Sequence, residues 1–134
     1  MKFLTLNTHS WMEKEAEEKF QILFQDILDK DYDLICFQEI NQEITSPEGE
    51  VNNHYQALPS AEPIHQDHYV RLLVEKLAEK GKNYYWTWAY NHIGYDRYHE
   101  GVAILSKTSI KAREILVSDV DDPTDYHLSL IHIS

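Results

Sequence analysis

The chain has 134 residues, 43% hydrophobic and 26% charged, a balance that suits one globular domain with a modest core. Twelve basic residues against 23 acidic ones give a net charge of −11, which argues against broad electrostatic capture of nucleic acid. A single cysteine, Cys36, excludes an internal disulfide and a cysteine zinc cluster.

Lys2-Phe3-Leu4-Thr5-Leu6 is a short apolar strand that runs into Asn7. Charged residues begin by Glu13, so no secretory apolar segment follows Met1. No apolar run approaches membrane-spanning length, and a soluble cytoplasmic protein without a transmembrane segment is expected. Ser10 and Glu13 have the spacing of a capping box. Ala16, Phe20, Leu23, Phe24, Ile27 and Leu28 recur at helical spacing and predict a helix ending near Lys30. Asp33-Leu34-Ile35-Cys36-Phe37-Gln38 is a second strand, apolar on both faces, that runs into Glu39.

Residues 41–66 are polar and carry Pro47, Gly49, Pro59 and Pro63, which predicts a long loop. A helix over roughly 67–80 follows, with Val70, Leu73, Val74 and Leu77 as its buried stripe and Gly81 as its cap. Tyr84 to Tyr90 is aromatic and strand-like, and Gly101 to Ser106 is another strand. Ile110 to Val117 alternates weakly and is expected to pair with that strand as a hairpin. Val120 to His127 reads as a polar loop. The codons CTG TCT CTT ATA CAC ATC TCN would encode Leu128 to Ser134, and those bases match a common transposase sequencing adapter. Residues 128–134 are therefore expected to be a non-native read-through tail on a 1–127 domain, the alternative being a genuine terminal strand.

The first two strands with a helix between them form a unit whose strands pair in parallel, so their ends fall together. Asn7 and Glu39 then share one edge, where sites form in open α/β sheets. An amide oxygen and a carboxylate are hard ligands that suit Mg²⁺ or Mn²⁺. The net negative charge does not oppose this, because a bound cation inverts the local charge.

Three blocks in order, Phe3-Leu4-Thr5-Leu6-Asn7, Asp33 to Glu39 and Glu100-Gly101-Val102-Ala103-Ile104-Leu105-Ser106-Lys107, resemble the endonuclease/exonuclease/phosphatase superfamily. That group includes DNase I, abasic-site endonucleases and neutral sphingomyelinases. The resemblance spans residues 2 to about 120 and looks like the N-terminal half of the family domain. It implies an α/β, DNase I-like four-layer sandwich with mixed sheets, truncated to its N-terminal half. It implies a divalent-metal-dependent phosphoesterase as the parent protein, with this chain an incomplete and inactive fragment. The later Gly-Asp-x-Asn-type and Ser-Asp-His-type blocks of the family do not occur here.

By the same resemblance Glu39 holds the cation, and Asn7 contacts the metal or a phosphate oxygen. Tyr98 faces substrate, and Glu100 orients a catalytic histidine from later in the family domain. His9, two residues past Asn7, and Arg97, in the aromatic stretch from Tyr90 to Glu100, are candidates for substrate contact. Asn41, close behind Glu39, is read as structural. The acidic balance favours a small-molecule or lipid-derived phosphoester over long duplex DNA. A non-catalytic binding module that keeps the fold is the alternative.

Overall fold

In the computed structural model, which describes residues 1–59, 61–116 and 129–133, a mixed four-stranded sheet carries two helices on one face. Strand β1 is Phe3–Asn7 and pairs in parallel with β2, Leu34–Glu43, with Asn7 opposite Gln38. Helix α1, Ala16–Lys30, makes the crossover between them. Helix α2, Tyr69–Glu79, leads into β3, Tyr85–Gly94, which turns back into β4, Tyr98–Ser106. The order across the sheet is β1-β2-β4-β3, so β4 is antiparallel to both of its neighbours. The expected strand–helix–strand unit is present, and the ends of β1 and β2 fall together as the crossover rule requires.

Alternation along the strands decides which residues meet the helices. Ile35 and Phe37 of β2, Trp86 and Trp88 of β3, and Ala103 and Leu105 of β4 are buried in one cluster. The helices bring Phe20, Leu23, Phe24 and Ile27 from α1 and all four expected stripe residues, Val70, Leu73, Val74 and Leu77, from α2. Gly81 takes a left-handed φ of 80°, and its N–H donates to Ala78 O while Lys82 N–H donates to Leu77 O. That pair of bonds is the glycine-capped helix end expected from the sequence. Thr87, Ala89 and Ile104 face the other way and are also buried. Strand β6, Ser129–Ile133, lies against β3 and β4, and pairs with β5, Ala112–Leu116, as a second, two-stranded sheet.

Four expectations change. The capping box does not form: Ser10–Met12 is a short 3-10 turn, and α1 starts at Ala16 after Glu15, with no side-chain cap. The Ser10 hydroxyl is instead drawn away to the Glu39 carbonyl at 2.7 Å, and Glu13 binds Lys19 at 2.5 Å. β2 does not stop at Gln38 but continues through Glu43, because it keeps pairing with β4. The loop after it is correspondingly shorter at its start and is held by the core: Leu58 and Ile64 are buried, and Gln56 binds the backbone of Ile110 from both ends of its amide. Finally, the strand at Ala112–Leu116 pairs with β6 and not with β4, whose two edges are already taken by β2 and β3. Residues 128 and 134 and the expected loop at 120–127 lie outside the described residues.

Candidate functional site

The two strands that flank β4, β2 and β3, both bulge where they pass the same short piece of it. On β2 the register shifts between Phe37 and Ile40, so Gln38 and Glu39 stand against Val102 alone. On β3 it shifts between Tyr90 and His92, which leaves Asn91 unmatched and brings His92 opposite Glu100. Bulges of this kind re-aim side chains, and they recur beside active sites. Here they flank Glu100–Val102 from either side. Gly101 permits the close approach: a Cβ there would stand 2.0 Å from the Ala89 carbonyl oxygen.

Glu39 sits in the bulge with a left-handed φ of 56°. Such a backbone is costly for a residue with a side chain and persists only where its surroundings hold it. The segment after β1 supplies the hold. The N–H of Thr8 donates to Gln38 O at 3.2 Å, and the Ser10 hydroxyl donates to Glu39 O at 2.7 Å. The Asn7 amide oxygen accepts the His9 N–H at 3.2 Å, which turns the chain so that His9 Nδ1 lies 2.7 Å from Glu39 Oε2.

Glu100 is nearly buried, and its Oε2 lies 3.0 Å from His92 Nε2. The other ring nitrogen of His92 is 2.6 Å from the Asn91 side-chain oxygen. Burial raises the Glu100 pKa, and the neighbouring charge of Glu39 raises it further. Asn41, opposite Glu100 across β2 and β4, works against that rise. The Asn41 amide is fully buried and makes no hydrogen bond of good geometry among the described residues, and neither does Glu100 Oε1. Buried polar atoms without partners are rare, and each calls for a reason.

These side chains line a cleft of about 650 Å³ that includes His9, Glu13, Glu39, Asn91, His92 and Glu100. Of the residues singled out in the sequence, the structure brings Glu39, Glu100 and His9 together there. Asn7 stays at the rim as the residue that positions His9. Tyr98 is buried outside the cleft lining, with the Arg97 guanidinium 5.1 Å from its ring centre. Arg97 is itself engaged with Glu43, Nε to Oε1 at 2.6 Å. His92 was read only as one of two histidines in the 90–100 stretch with the chemistry to contact a phosphate, and Asn91 and the buried position of Asn41 were not singled out. Only the β3 bulge brings His92 and Asn91 to the cleft, and a bulge leaves no periodic trace in the sequence.

No three His, Cys, Asp or Glu side chains among the described residues are grouped to hold a metal ion. The donor chemistry nonetheless fits a hard cation. Glu39 and Glu100 share the cleft with Glu13, which is paired with Lys19, and buried oxygens of Glu100 and Asn41 lack good hydrogen bonds. Mg²⁺ keeps most of its waters and needs only one or two protein carboxylates.

No helix among the described residues is long and apolar enough to cross a membrane. No family model matches the sequence, and no curated protein matches it. Among solved structures, the chain is similar to an endonuclease/exonuclease/phosphatase family protein from Leptotrichia buccalis C-1013-b, with 30% sequence identity and a TM-score of 0.83. The match covers 99% of this chain and 47% of that one, so the chain spans about half the length of its relative.

Proposed function

Since this chain carries the fold of the N-terminal half of an endonuclease/exonuclease/phosphatase family protein, we propose that the protein it represents is a divalent-metal-dependent phosphoesterase. The observation that carries the proposal is the cleft between the two bulges, where Glu39 and the buried Glu100 stand close enough for one charge to raise the pKa of the other. Two carboxylates held together in this way are unfavourable by themselves and favourable around a cation.

Glu39 would hold Mg²⁺ or Mn²⁺, with Asn7 at the same rim. When bound, the cation supplies charge stabilisation to the phosphoryl oxygens and the leaving group. Displacement of His9 from Glu39 Oε2 would free a full carboxylate for that role and leave an imidazole beside the substrate. Glu100 would act through histidine, keeping the ring oriented and its basicity high, as carboxylate partners do. One of its oxygens already meets His92, and the other, Oε1, is buried with no hydrogen bond of good geometry among the described residues. The remaining half of the domain would contribute the groups that activate water, so the 134-residue chain by itself should not turn over. A small or lipid-derived phosphoester suits the −11 charge better than long duplex DNA.

The test is Mg²⁺-dependent release of nitrophenol from bis-p-nitrophenyl phosphate by the longer protein, against Glu39→Gln and Glu100→Gln. Glu39→Gln should abolish turnover without unfolding. Glu100→Gln should lower turnover strongly and leave Mg²⁺ affinity nearly unchanged. A Glu100→Gln defect rescued by more Mg²⁺ would instead make Glu100 a ligand.

A further inference from the structure

The β3–β4 hairpin ends in a turn that its sequence does not favour. Tyr95 and Asp96 both take left-handed backbones, with φ of 52° and 53°, and Arg97 N–H closes the turn on Gly94 O at 3.1 Å. Turns with positive φ at both central positions are the preserve of Asn, Asp and Gly. Asp96 fits that preference. A tyrosine at the first position does not, and its conformation costs roughly 1 kcal/mol or more. The core gains nothing in return, because Tyr95 is 82% exposed.

Tyr95 lines the same cleft as Glu39 and Glu100. The preceding Gly94 stands beside Glu100: a Cβ on it would lie 3.5 Å from Glu100 Oε2. The turn therefore sits directly beside the buried carboxylate, and the tyrosine projects from that turn. A large, rigid, exposed aromatic at a strained position next to the chemistry is poorly explained by folding and well explained by contact with a ligand.

Building on the phosphoesterase proposal, we propose that Tyr95 determines specificity, its ring forming the platform on which a flat group carried by the phosphoester stacks. Stacking suits this site because it needs no cationic side chain. The cleft is acidic, and the nearby arginine, Arg97, is paired with Glu43. A nucleobase and a simple aryl group share the required flat face, and both are matched by one aromatic platform.

The experiment is calorimetric binding to the 134-residue chain in the presence of Mg²⁺. The probes are adenosine 5′-monophosphate, phenyl phosphate and glycerol 3-phosphate, with the parent chain, Tyr95→Asn and Tyr95→Phe. Tyr95→Asn should weaken the two flat probes by about 5-fold or more, the lower end of base–aromatic stacking. It should leave glycerol 3-phosphate unchanged and should raise the melting temperature, because asparagine accepts the left-handed backbone. Tyr95→Phe should keep the flat probes. Adenosine monophosphate held more tightly than phenyl phosphate would assign the platform to a nucleobase, and the reverse order to an aryl group. Undiminished binding of the flat probes by Tyr95→Asn would overturn the assignment while leaving the phosphoester cleft standing. An equal loss for all three probes would do the same. Failure of the parent chain to bind any probe would overturn both.

Discussion

Gly101 is the position where one added methyl group should do the most damage. A Cβ there would lie 2.0 Å from the Ala89 carbonyl oxygen, 2.8 Å from its carbon and 2.9 Å from the Tyr90 α-carbon. All three are backbone atoms of β3, so no side chain can rotate away. Relief must come from parting β3 and β4 beside the Asn91 bulge. Each ladder bond lost there removes about 1 kcal/mol, and displacing Trp88 and Ala89 from a packed core adds about 1–3 kcal/mol. The Gly101→Ala variant should therefore lose about 3 kcal/mol or more, a large share of the ~5–15 kcal/mol available to a domain. A melt followed by circular dichroism should shift down by roughly 10 °C. Gly94→Ala is the matched control in the same hairpin, since its Cβ would meet nothing nearer than Glu100 Oε2 at 3.5 Å, an ordinary contact. Its melt should stay close to that of the parent. If Gly101→Ala melts with the control, then the two strands are not packed as closely as the bulge geometry requires.

His68 is fully buried against Trp88, ring centres 4.6 Å apart, and burial holds its pKa down at about 3. The native state therefore keeps it neutral while the unfolded chain takes up a proton below about 6.5. Its contribution to stability is complete above that pH and is lost as pH falls towards 3, and urea melts across the range should show an acid limb that His68→Gln flattens. Burial also raises the Cys36 thiol pKa, so alkylation by iodoacetamide at neutral pH should be markedly slower than for a free thiol and should speed up on unfolding. Ile27 and Leu77 are fully buried in the helix–sheet cluster, and either one cut to alanine should cost about 2–5 kcal/mol in a denaturant melt.

Much of the fold was legible because periodicity reports burial. The stripe Val70, Leu73, Val74 and Leu77 needs only helical spacing to be read, and all four residues are buried. Gly81 was legible because few other residues accept its backbone. The capping box was misread because Ser10 had a competing partner 29 positions away, the Glu39 carbonyl, and local sequence does not register such competition. Pairing of the 112–116 strand was misread for a similar reason: adjacency suggests β4, but both edges of β4 are occupied. In the site, Glu39 and Glu100 were accessible through motif and strand-end logic. His92 was not, because its place opposite Glu100 depends on one unmatched residue, Asn91, that resets the register. Arg97 had the right chemistry for a phosphate, yet Glu43 at the end of β2 holds it.

The strand order β1-β2-β4-β3 has a consequence for synthesis on the ribosome. Once β2 has emerged, β1 can line one of its edges and α1 can cover one face. Its other edge waits for β4, which is translated only after the whole 44–97 stretch. At about 5–20 residues per second, that leaves the Ile35–Phe37 edge without a partner for several seconds. During that interval the nascent chain presents an open apolar strand to every neighbouring polypeptide. Translation speed through 44–97, and chaperone access during it, should therefore govern soluble yield more than final stability does. Messages cut short before Tyr98 should yield aggregate in place of a smaller folded unit.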